Sequence, residues 1–236
     1  MKTCWLHRQN HQDCILFMAG WGMTPDPFMD IPAGPVDILM VYDYRTVDDW
    51  NIVSFLQENT YHRVHLLAWS MGVRTAAMLL AEHEQDRTLL TSAVAVGGTC
   101  QAIHDQFGIP NQAFDWMIRG FSPILLNAFY RSMFDQKQEV KRFLDGLRTA
   151  QRPDEELRQE LIVLRAACRE QQDVPDIFTH RIITGRDRIV PARNQQRSWK
   201  RQACTFLPLP HFPFYHWADW AALLQELTGL DISDAA

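Results

Sequence analysis

Length, composition and charge limit what this chain can be. Its 236 residues fit a single α/β domain, and 47% hydrophobic with 22% charged residues is typical of a globular protein with one sizeable core. The formal net charge of −5 gives no support to general nucleic-acid binding. The first residues lack the apolar run of a secretory signal and no stretch is long enough to span a bilayer, so a cytoplasmic protein without a membrane partner is expected.

Apolar runs alternate with helical patterns in the first hundred residues. The sequence predicts strands at residues 14–19, 37–42, 63–69 and 91–96, with a helix at 71–82. Strands that are apolar on both faces and interleaved with helices are typical of a parallel sheet covered on both sides. The five cysteines are scattered and include no CxxC pair, which predicts reduced thiols and no metal site.

The middle of the chain differs in character. Residues 136–148 and 154–169 have apolar side chains at the i, i+3, i+4, i+7 spacing of an amphipathic helix, and no strand stands out from 101 to 173. Strands return at 180–184 and 203–207, before a last helix at 217–227. We therefore predict one α/β domain with a core over about residues 1–100 and 174–236 and a helical cap over about 101–173.

The sharpest motif lies between the third predicted strand and the helix that follows it. Ala68-Trp69-Ser70-Met71-Gly72 is close to the G-x-S-x-G turn that places a nucleophilic serine above a sheet, with Ala68 in place of the first glycine. The N-terminus of the following helix would offer free N–H groups to a developing anion. The alternative interpretation is an ordinary serine helix cap.

Two later loops supply partners for Ser70. Asp187 follows the predicted strand at 180–184, and His211 follows the last predicted strand. The order serine, acid, histidine is that of the α/β-hydrolase fold, in which the histidine is the base and the acid orients it. Three alternatives stay open: Asp187 as a turn residue, Asp43 as the acid, and His216 as the base.

A glycine-rich loop after the first predicted strand completes the candidate site. Ala19-Gly20-Trp21-Gly22 allows close backbone approach, so that the N–H of Trp21 and the N–H of Met71 form an oxyanion hole. A simple glycine turn is the alternative. Such a site needs neither a metal nor an organic cofactor, and none is expected.

These motifs resemble those of the pimeloyl-[acyl-carrier protein] methyl ester esterases of biotin synthesis, in particular the compact BioG type. The resemblance covers most of the chain and is weakest in the cap. It is carried by residues 19–22, 41–44, 67–72 and 107–110, and by 211–216, which begin His-x-Pro-Phe as in the larger esterase of the pathway. That last match places the base at His211. The resemblance implies an α/β-hydrolase fold and hydrolysis of a methyl ester whose acyl chain is attached to an acidic acyl-carrier protein.

The cap has basic and aromatic residues that fit such a substrate. Lys137, Lys141 and Arg148 share one stripe of the helix predicted at 136–148. The other basic residues of the cap region are Arg119, Arg131, Arg142 and Arg152. A basic rim can guide an acidic partner even on an acidic protein, although solvated surface charges would look the same. The apolar residues that line an acyl channel or fill the cap core are Phe121, Leu125, Phe129 and Met133.

Three functions are compatible with this sequence. The first is the carrier-protein-linked methyl esterase, acting as a monomer. The second is a general carboxylesterase or thioesterase for short acyl groups, and the third is a non-catalytic relative that binds a small ligand. The intact serine, acid and histidine argue against the third, since a pure binding protein has little reason to keep all of them.

Overall fold

A computed structural model describes residues 1–46, 51–147 and 152–232. Its sheet has seven strands in the order β1-β3-β2-β4-β5-β6-β7. Strand β1 pairs antiparallel with β3, and all other pairs are parallel. The strands are β1 Lys2–His7, β2 Asp13–Met18, β3 Asp37–Tyr42, β4 Arg63–Trp69, β5 Ser92–Val96, β6 His180–Thr184 and β7 Thr205–Leu207.

Helices cover both faces of the sheet and form an inserted region between β5 and β6. The core helices are α1 Asp26–Met29, α2 Ile52–Glu58, α3 Met71–Leu79, α4 Glu84–Arg87, α9 Ala192–Ser198 and α10 Trp220–Thr228. The inserted helices, the cap, are α5 Asn111–Arg119, α6 Pro123–Ser132, α7 Lys137–Leu147 and α8 Asp154–Glu170. Within the described residues, no helix combines the length and apolar character needed to cross a membrane.

The central strands have the burial expected of a parallel sheet. All residues of β2 and β5 are buried, and so are all but the first residue of β4 and of β6 and all but the last of β3. A strand covered on both faces must be apolar throughout, which is why these runs could be recognised in the sequence. Parallel pairing brings the carboxyl ends of the strands to one edge, where the loops that follow them meet.

An aromatic cluster fills the core beneath the loop after β7. Phe17 of β2 lies 5.2 Å from Phe214 and 5.1 Å from Trp220, measured between ring centroids. Trp69 lies 5.3 Å from Phe214, and Phe28 stacks on Phe212 at 5.3 Å. Each aromatic ring buries a large apolar area, and offset or edge-to-face pairs add about 0.5–1.5 kcal/mol each. The loop at 212–214 is therefore part of the hydrophobic core.

The last helix begins later than the sequence pattern predicts. Asp219 caps α10 by accepting a hydrogen bond from the Ala222 N–H at 2.7 Å, so the helix starts at Trp220 and not at residue 217. The residues before it form a short 3-10 turn, Phe214–His216. Strand β1 and helix α9 were not predicted at all.

Candidate active site

Ser70 occupies the sharp turn between β4 and α3. Its backbone dihedrals are φ 57° and ψ −122°, a conformation that L-residues rarely adopt. The turn is held in place because the Ser70 N–H donates to the Val96 carbonyl of the neighbouring strand at 3.0 Å. The alternative of an ordinary helix cap does not fit, since the Ser70 side chain makes no capping hydrogen bond to α3.

Two glycines make this turn sterically feasible. A Cβ on Gly72 would lie 2.2 Å from the Met18 carbonyl oxygen, and one on Gly98 would lie 2.4 Å from the Ser70 carbonyl oxygen. Both distances are far below van der Waals contact, so any side chain at either position would displace the backbone that carries Ser70.

His211 and Asp187 form a buried pair. His211 Nδ1 lies 2.7 Å from Asp187 Oδ2, and both side chains are almost entirely inaccessible to solvent. Asp187 Oδ1 accepts from the N–H groups of Ile189 and Val190 at 2.8 Å each, and Oδ2 also accepts from the Thr184 hydroxyl at 2.7 Å. A carboxylate surrounded by donors in this way is an acceptor, so His211 Nδ1 donates to it and Nε2 is left as the basic nitrogen.

Two further side chains fix this pair in place. Gln195 on α9 donates from Nε2 to Asp187 Oδ2 at 3.1 Å and to the Val190 carbonyl at 2.8 Å. The Trp69 indole N–H donates to the His211 carbonyl at 2.7 Å. The sequence pattern did not reveal either role, although Trp69 lies directly before the candidate nucleophile.

Ser70 and His211 line the same cleft, which measures about 650 Å³ including its open mouth. Gly20, Trp21 and Met71 lie beside them in the cleft wall. The remaining wall is mostly apolar: Trp69, Ile109, Ala113, Phe114, Met117, Phe129, Met133, Leu161 and Ile189, with Arg188 as its one permanently charged member. This shape suits an extended hydrocarbon chain with a reactive group at the Ser70 end.

The residues predicted to form the oxyanion hole border this cleft on two sides of Ser70. Met71 is the first residue of α3, and N–H groups in the first turn of a helix have no acceptor within the helix. Trp21 lies in the loop between β2 and α1, where Gly22 has a φ of 76°. Among the described residues, no group of three or more His, Cys, Asp or Glu could hold a metal ion.

The alternative acid and base lie in other environments. His216 is exposed, at the end of the 3-10 turn, with its ring against Trp217. Asp43 is buried in an ion cluster with Arg45 and Arg152. Burial opposes ionisation of Asp43, but the hydrogen bonds from Arg45 and the charge of Arg152 hold its pKa well below the usual range. Neither residue lines the cleft.

The structure separates the apolar cap candidates by position. Phe129 and Met133 line the cleft. Phe121 does not line it and instead packs edge-on against Trp21, with ring centroids 6.4 Å apart. Leu125 is half-buried on α6 and also lies outside the cleft wall.

Most of the basic cap candidates are on the surface. Arg119, Arg131, Lys137, Lys141 and Arg142 are exposed, and Arg148 lies outside the described residues. Lys141 pairs with Asp145, while the Arg142 guanidinium lies 3.9 Å from the centroid of the Tyr215 ring. Arg152 was wrongly grouped with this basic surface, because it is buried and pairs with Asp43 and Glu160.

Two other arginines near the cleft were missed. Arg186 and Arg188 flank Asp187 in the sequence, and both pair with Asp135, between α6 and α7, at 2.6 and 2.9 Å. Arg188 also lines the cleft. The sequence could have indicated them, because they are the immediate neighbours of Asp187, and neighbours of a residue in an active-site loop lie near the same cleft.

The seven-stranded sheet, the strand-to-helix turn at Ser70 and the inserted helices define the class of the protein, which is an α/β-hydrolase. An α/β-hydrolase enzyme, MGS-M2 from a deep-sea metagenome of the Medee basin, shares this fold with a TM-score of 0.59 at 12% identity, over 99% of this chain and 95% of that one. The family described as pimeloyl-ACP methyl esterase BioG matches residues 1–223. The chain therefore belongs to the BioG family of pimeloyl-ACP methyl esterases, which act in biotin biosynthesis.

The chain is also similar to two individual proteins. The crystal structure of BioG from Haemophilus influenzae superposes with a TM-score of 0.80 at 29% identity, over 94% of this chain and 99% of that one. A malonyl-[acyl-carrier protein] O-methyltransferase of Bacteroides fragilis is 32% identical over 191 residues, or 80% of this chain. The chain spans only 37% of the length of that methyltransferase.

Proposed function

We propose that Ser70, His211 and Asp187 are the nucleophile, general base and orienting acid with which this chain hydrolyses the methyl ester of pimeloyl-ACP. The products are pimeloyl-ACP and methanol. One observation carries the assignment: Ser70, at the strained turn, and His211, which lies 2.7 Å from Asp187, line the same cleft. A hydroxyl becomes a useful nucleophile at neutral pH when such a base accepts its proton.

The reaction takes two displacement steps at Ser70. Its Oγ attacks the ester carbonyl carbon while His211 Nε2 takes the hydroxyl proton, and the carbonyl electrons move onto oxygen. Collapse of this tetrahedral species breaks the bond to the methoxy group, which leaves as methanol with the proton from His211. Water then attacks the acyl-enzyme, with His211 again as base, and releases the free carboxyl group and Ser70.

Two backbone N–H groups, those of Trp21 and Met71, hold the oxyanion in both tetrahedral species. Support comes from their place in the cleft wall beside Ser70 and from the position of Met71 at the start of α3. Loss of one such donor typically raises the barrier by about 2.7–4 kcal/mol. A fixed donor in a largely apolar cleft is more effective than water, since it needs no reorientation during the reaction.

The cleft and the cap surface fit the two parts of the substrate. The methylene chain of the pimeloyl group lies against the apolar wall that includes Met117, Phe129 and Met133. Its carrier-linked end must leave through the cleft mouth. The exposed basic residues proposed to contact the acidic carrier protein are Arg119, Arg131, Lys137, Lys141 and Arg142. Arg148 is also proposed to contact the carrier protein, and this is based only on its position in the sequence.

The decisive test is hydrolysis of methyl pimeloyl-ACP by the Ser70→Ala variant. We expect the rate to fall at least about 1,000-fold, because the remaining groups bind the substrate without a nucleophile. Ser54→Ala, on α2, is the matched control and keeps its activity. Full activity in Ser70→Ala would rule out the mechanism. Equal hydrolysis of the carrier-bound and the free methyl ester would instead favour a general carboxylesterase.

A further inference from the structure

The loop that bears Trp21 is held by the cap as well as by the core. The Trp21 indole N–H donates to the Leu157 carbonyl on α8 at 2.9 Å, and the Tyr130 hydroxyl on α6 donates to the Gly22 carbonyl at 2.9 Å. The side chains of Trp21, Tyr130 and Leu157 are all buried. Two cap helices thus hydrogen-bond to consecutive residues of a loop that belongs to the sheet.

A third cap contact to this loop comes from a charged group. Glu160 of α8 is fully buried, and its Oε2 accepts a long hydrogen bond from the Gly22 N–H at 3.4 Å. Its Oε1 accepts from the Tyr44 N–H at 2.9 Å, and the Tyr44 hydroxyl donates to the Ala19 carbonyl at 2.6 Å. The carboxyl group of Glu160 therefore joins α8 to the segment after β3, through Tyr44, and to the loop, through Gly22.

A charge in this position is costly unless it is compensated. Complete burial raises the pKa of the Glu160 carboxyl, while the Arg152 charge and the Tyr44 N–H favour its ionised form. Arg152 Nη1 lies 2.7 Å from Glu160 Oε2 and is itself buried. Apolar residues of similar size often stabilise a fold as well as a buried ion pair does, so packing alone does not account for a pair at this point.

We propose that Glu160 is a positioning residue: its carboxylate, paired with Arg152, holds the loop from Ala19 to Gly22 so that the Trp21 N–H faces the reacting carbonyl oxygen. This inference rests on the proposed function, in which Trp21 is an oxyanion donor. Because α8 belongs to the cap, the oxyanion hole is complete only when the cap is seated on the sheet. The cap thus takes part in stabilising the transition state, in addition to binding the acyl chain.

The variant Glu160→Gln tests this, because it keeps the volume and removes the charge. A misplacement of about 1 Å can cost about 100-fold in rate, so we expect kcat on methyl pimeloyl-ACP to fall about 10- to 100-fold. We expect KM to stay within about two-fold, since the apolar wall of the cleft is unchanged.

A second readout separates positioning from general loss of structure. A trifluoromethyl ketone with the same acyl chain accepts the Ser70 oxygen at its carbonyl carbon and becomes a tetrahedral adduct with a negatively charged oxygen. Its affinity depends on the oxyanion donors and should fall in Glu160→Gln by about the same factor as kcat. Thermal unfolding of the same sample reports the structural effect separately.

The matched control is Glu156→Gln, one turn earlier on α8. Glu156 is partly exposed, pairs with Arg45 at 2.8 Å and lies 4.0 Å from Arg152. The variant therefore removes a charge from the same ion cluster while the hydrogen bonds of Glu160 to Gly22 and Tyr44 stay in place. We expect kcat and ketone affinity near those of the wild type. Unchanged kcat in Glu160→Gln, an equal loss in Glu156→Gln, or a loss confined to KM would each overturn the proposal.

If Glu160→Gln does not fold, Tyr130→Phe is the second variant that tests whether the cap positions the loop. It removes only the hydroxyl that donates to the Gly22 carbonyl. A several-fold loss of kcat with a parallel loss of ketone affinity is expected, and wild-type values for both would overturn the inference that cap contacts to Gly22 position the loop. Failure of the underlying mechanism looks different. In that case Ser70→Ala keeps its activity, whereas failure of the present inference leaves Ser70→Ala inactive.

Discussion

The orientation of the His211 ring depends on what surrounds Asp187. Both carboxylate oxygens of Asp187 face donors: two backbone N–H groups, the Thr184 hydroxyl, the Gln195 amide and the imidazole itself. A group with only acceptor capacity leaves His211 Nδ1 no role except donor. These hydrogen bonds thus determine the tautomer in which Nε2 is free of a proton, which is the tautomer that the proposed mechanism requires.

Asp187→Asn tests this at the level of one atom. An asparagine amide can present its NH₂ group to His211 Nδ1, which then becomes the acceptor and leaves the proton on Nε2. We expect kcat to fall about 10,000-fold, as in other enzymes with this arrangement, while KM changes little. Asp176→Asn removes a charge from the pair with the buried Arg181, away from the cleft, and is the control that should have wild-type kinetics. The measurement is the steady-state rate of methyl pimeloyl-ACP hydrolysis. Equal activity of the two variants would contradict the proposed role of Asp187.

At the level of helices and strands, pattern recognition worked where burial was uniform. The strands β3, β4 and β6 were predicted to the residue because both faces of each are covered, so apolar residues are continuous. Strand β1 was missed because it pairs only with β3 at the sheet edge and its residues range from exposed to buried. Its mixed composition, KTCWLH, has no periodicity to detect.

The tertiary contacts around the candidate site, unlike the strands, could not be predicted from the sequence. The turn at Ser70 has a local motif, but Glu160 lies 138 residues from Gly22 and 116 from Tyr44. In the sequence Glu160 looks like one of several charged residues on an amphipathic helix. Gln195 is likewise an ordinary polar residue of a short helix. Such roles depend on tertiary packing, which spacing along a single sequence does not encode.

Strand β4 contains a histidine that makes stability depend on pH. His65 is fully buried, with Nδ1 2.8 Å from the Ser92 hydroxyl, and burial lowers its pKa to about 4. In the unfolded chain its pKa is about 6.5, so between these values the unfolded state binds more protons than the folded state. Stability from this group is therefore present above about pH 6.5 and is lost as the pH falls toward 4.

The measurement is urea unfolding at pH 7 and at pH 5 for the wild type and for His65→Gln, which does not titrate in this range. The wild type should lose about 2 kcal/mol more of its unfolding free energy between the two pH values than the variant does. Acidic groups titrate in both proteins, so the difference isolates the histidine. Equal losses would show that His65 is protonated in the folded protein.

For the molecule as a whole, charge is unevenly distributed. The formal net charge is −5, yet α7 places Lys137, Lys141 and Arg142 on the exposed side of the cap. Long-range attraction to an acidic partner depends on this local surface and not on the total charge. It acts mainly on association, and salt weakens it because the Debye length is only about 8 Å at physiological ionic strength.

Charge reversal tests whether the exposed basic residues of α7 bind the carrier protein, as proposed. In Lys137→Glu/Lys141→Glu we expect KM for methyl pimeloyl-ACP to rise several-fold, while hydrolysis of the free methyl ester is unchanged. The effect should shrink in about 0.5 M salt, where screening is strong. Lys200→Glu/Arg201→Glu, two exposed residues after α9, gives the same change in net charge and is the control. Similar effects from both pairs would mean that only total charge matters.

The aromatic cluster beneath the loop at 212–214 connects the candidate site to the last helix of the protein. Trp220 belongs to the last helix and does not line the cleft, yet its ring lies 5.5 Å from that of Phe214, three residues beyond His211, the proposed base. Damage to that helix would therefore disturb His211 without any reacting atom being touched. Packing of the last helix is therefore one of the determinants of where the His211 ring lies, and under the proposed mechanism it influences the geometry of proton transfer.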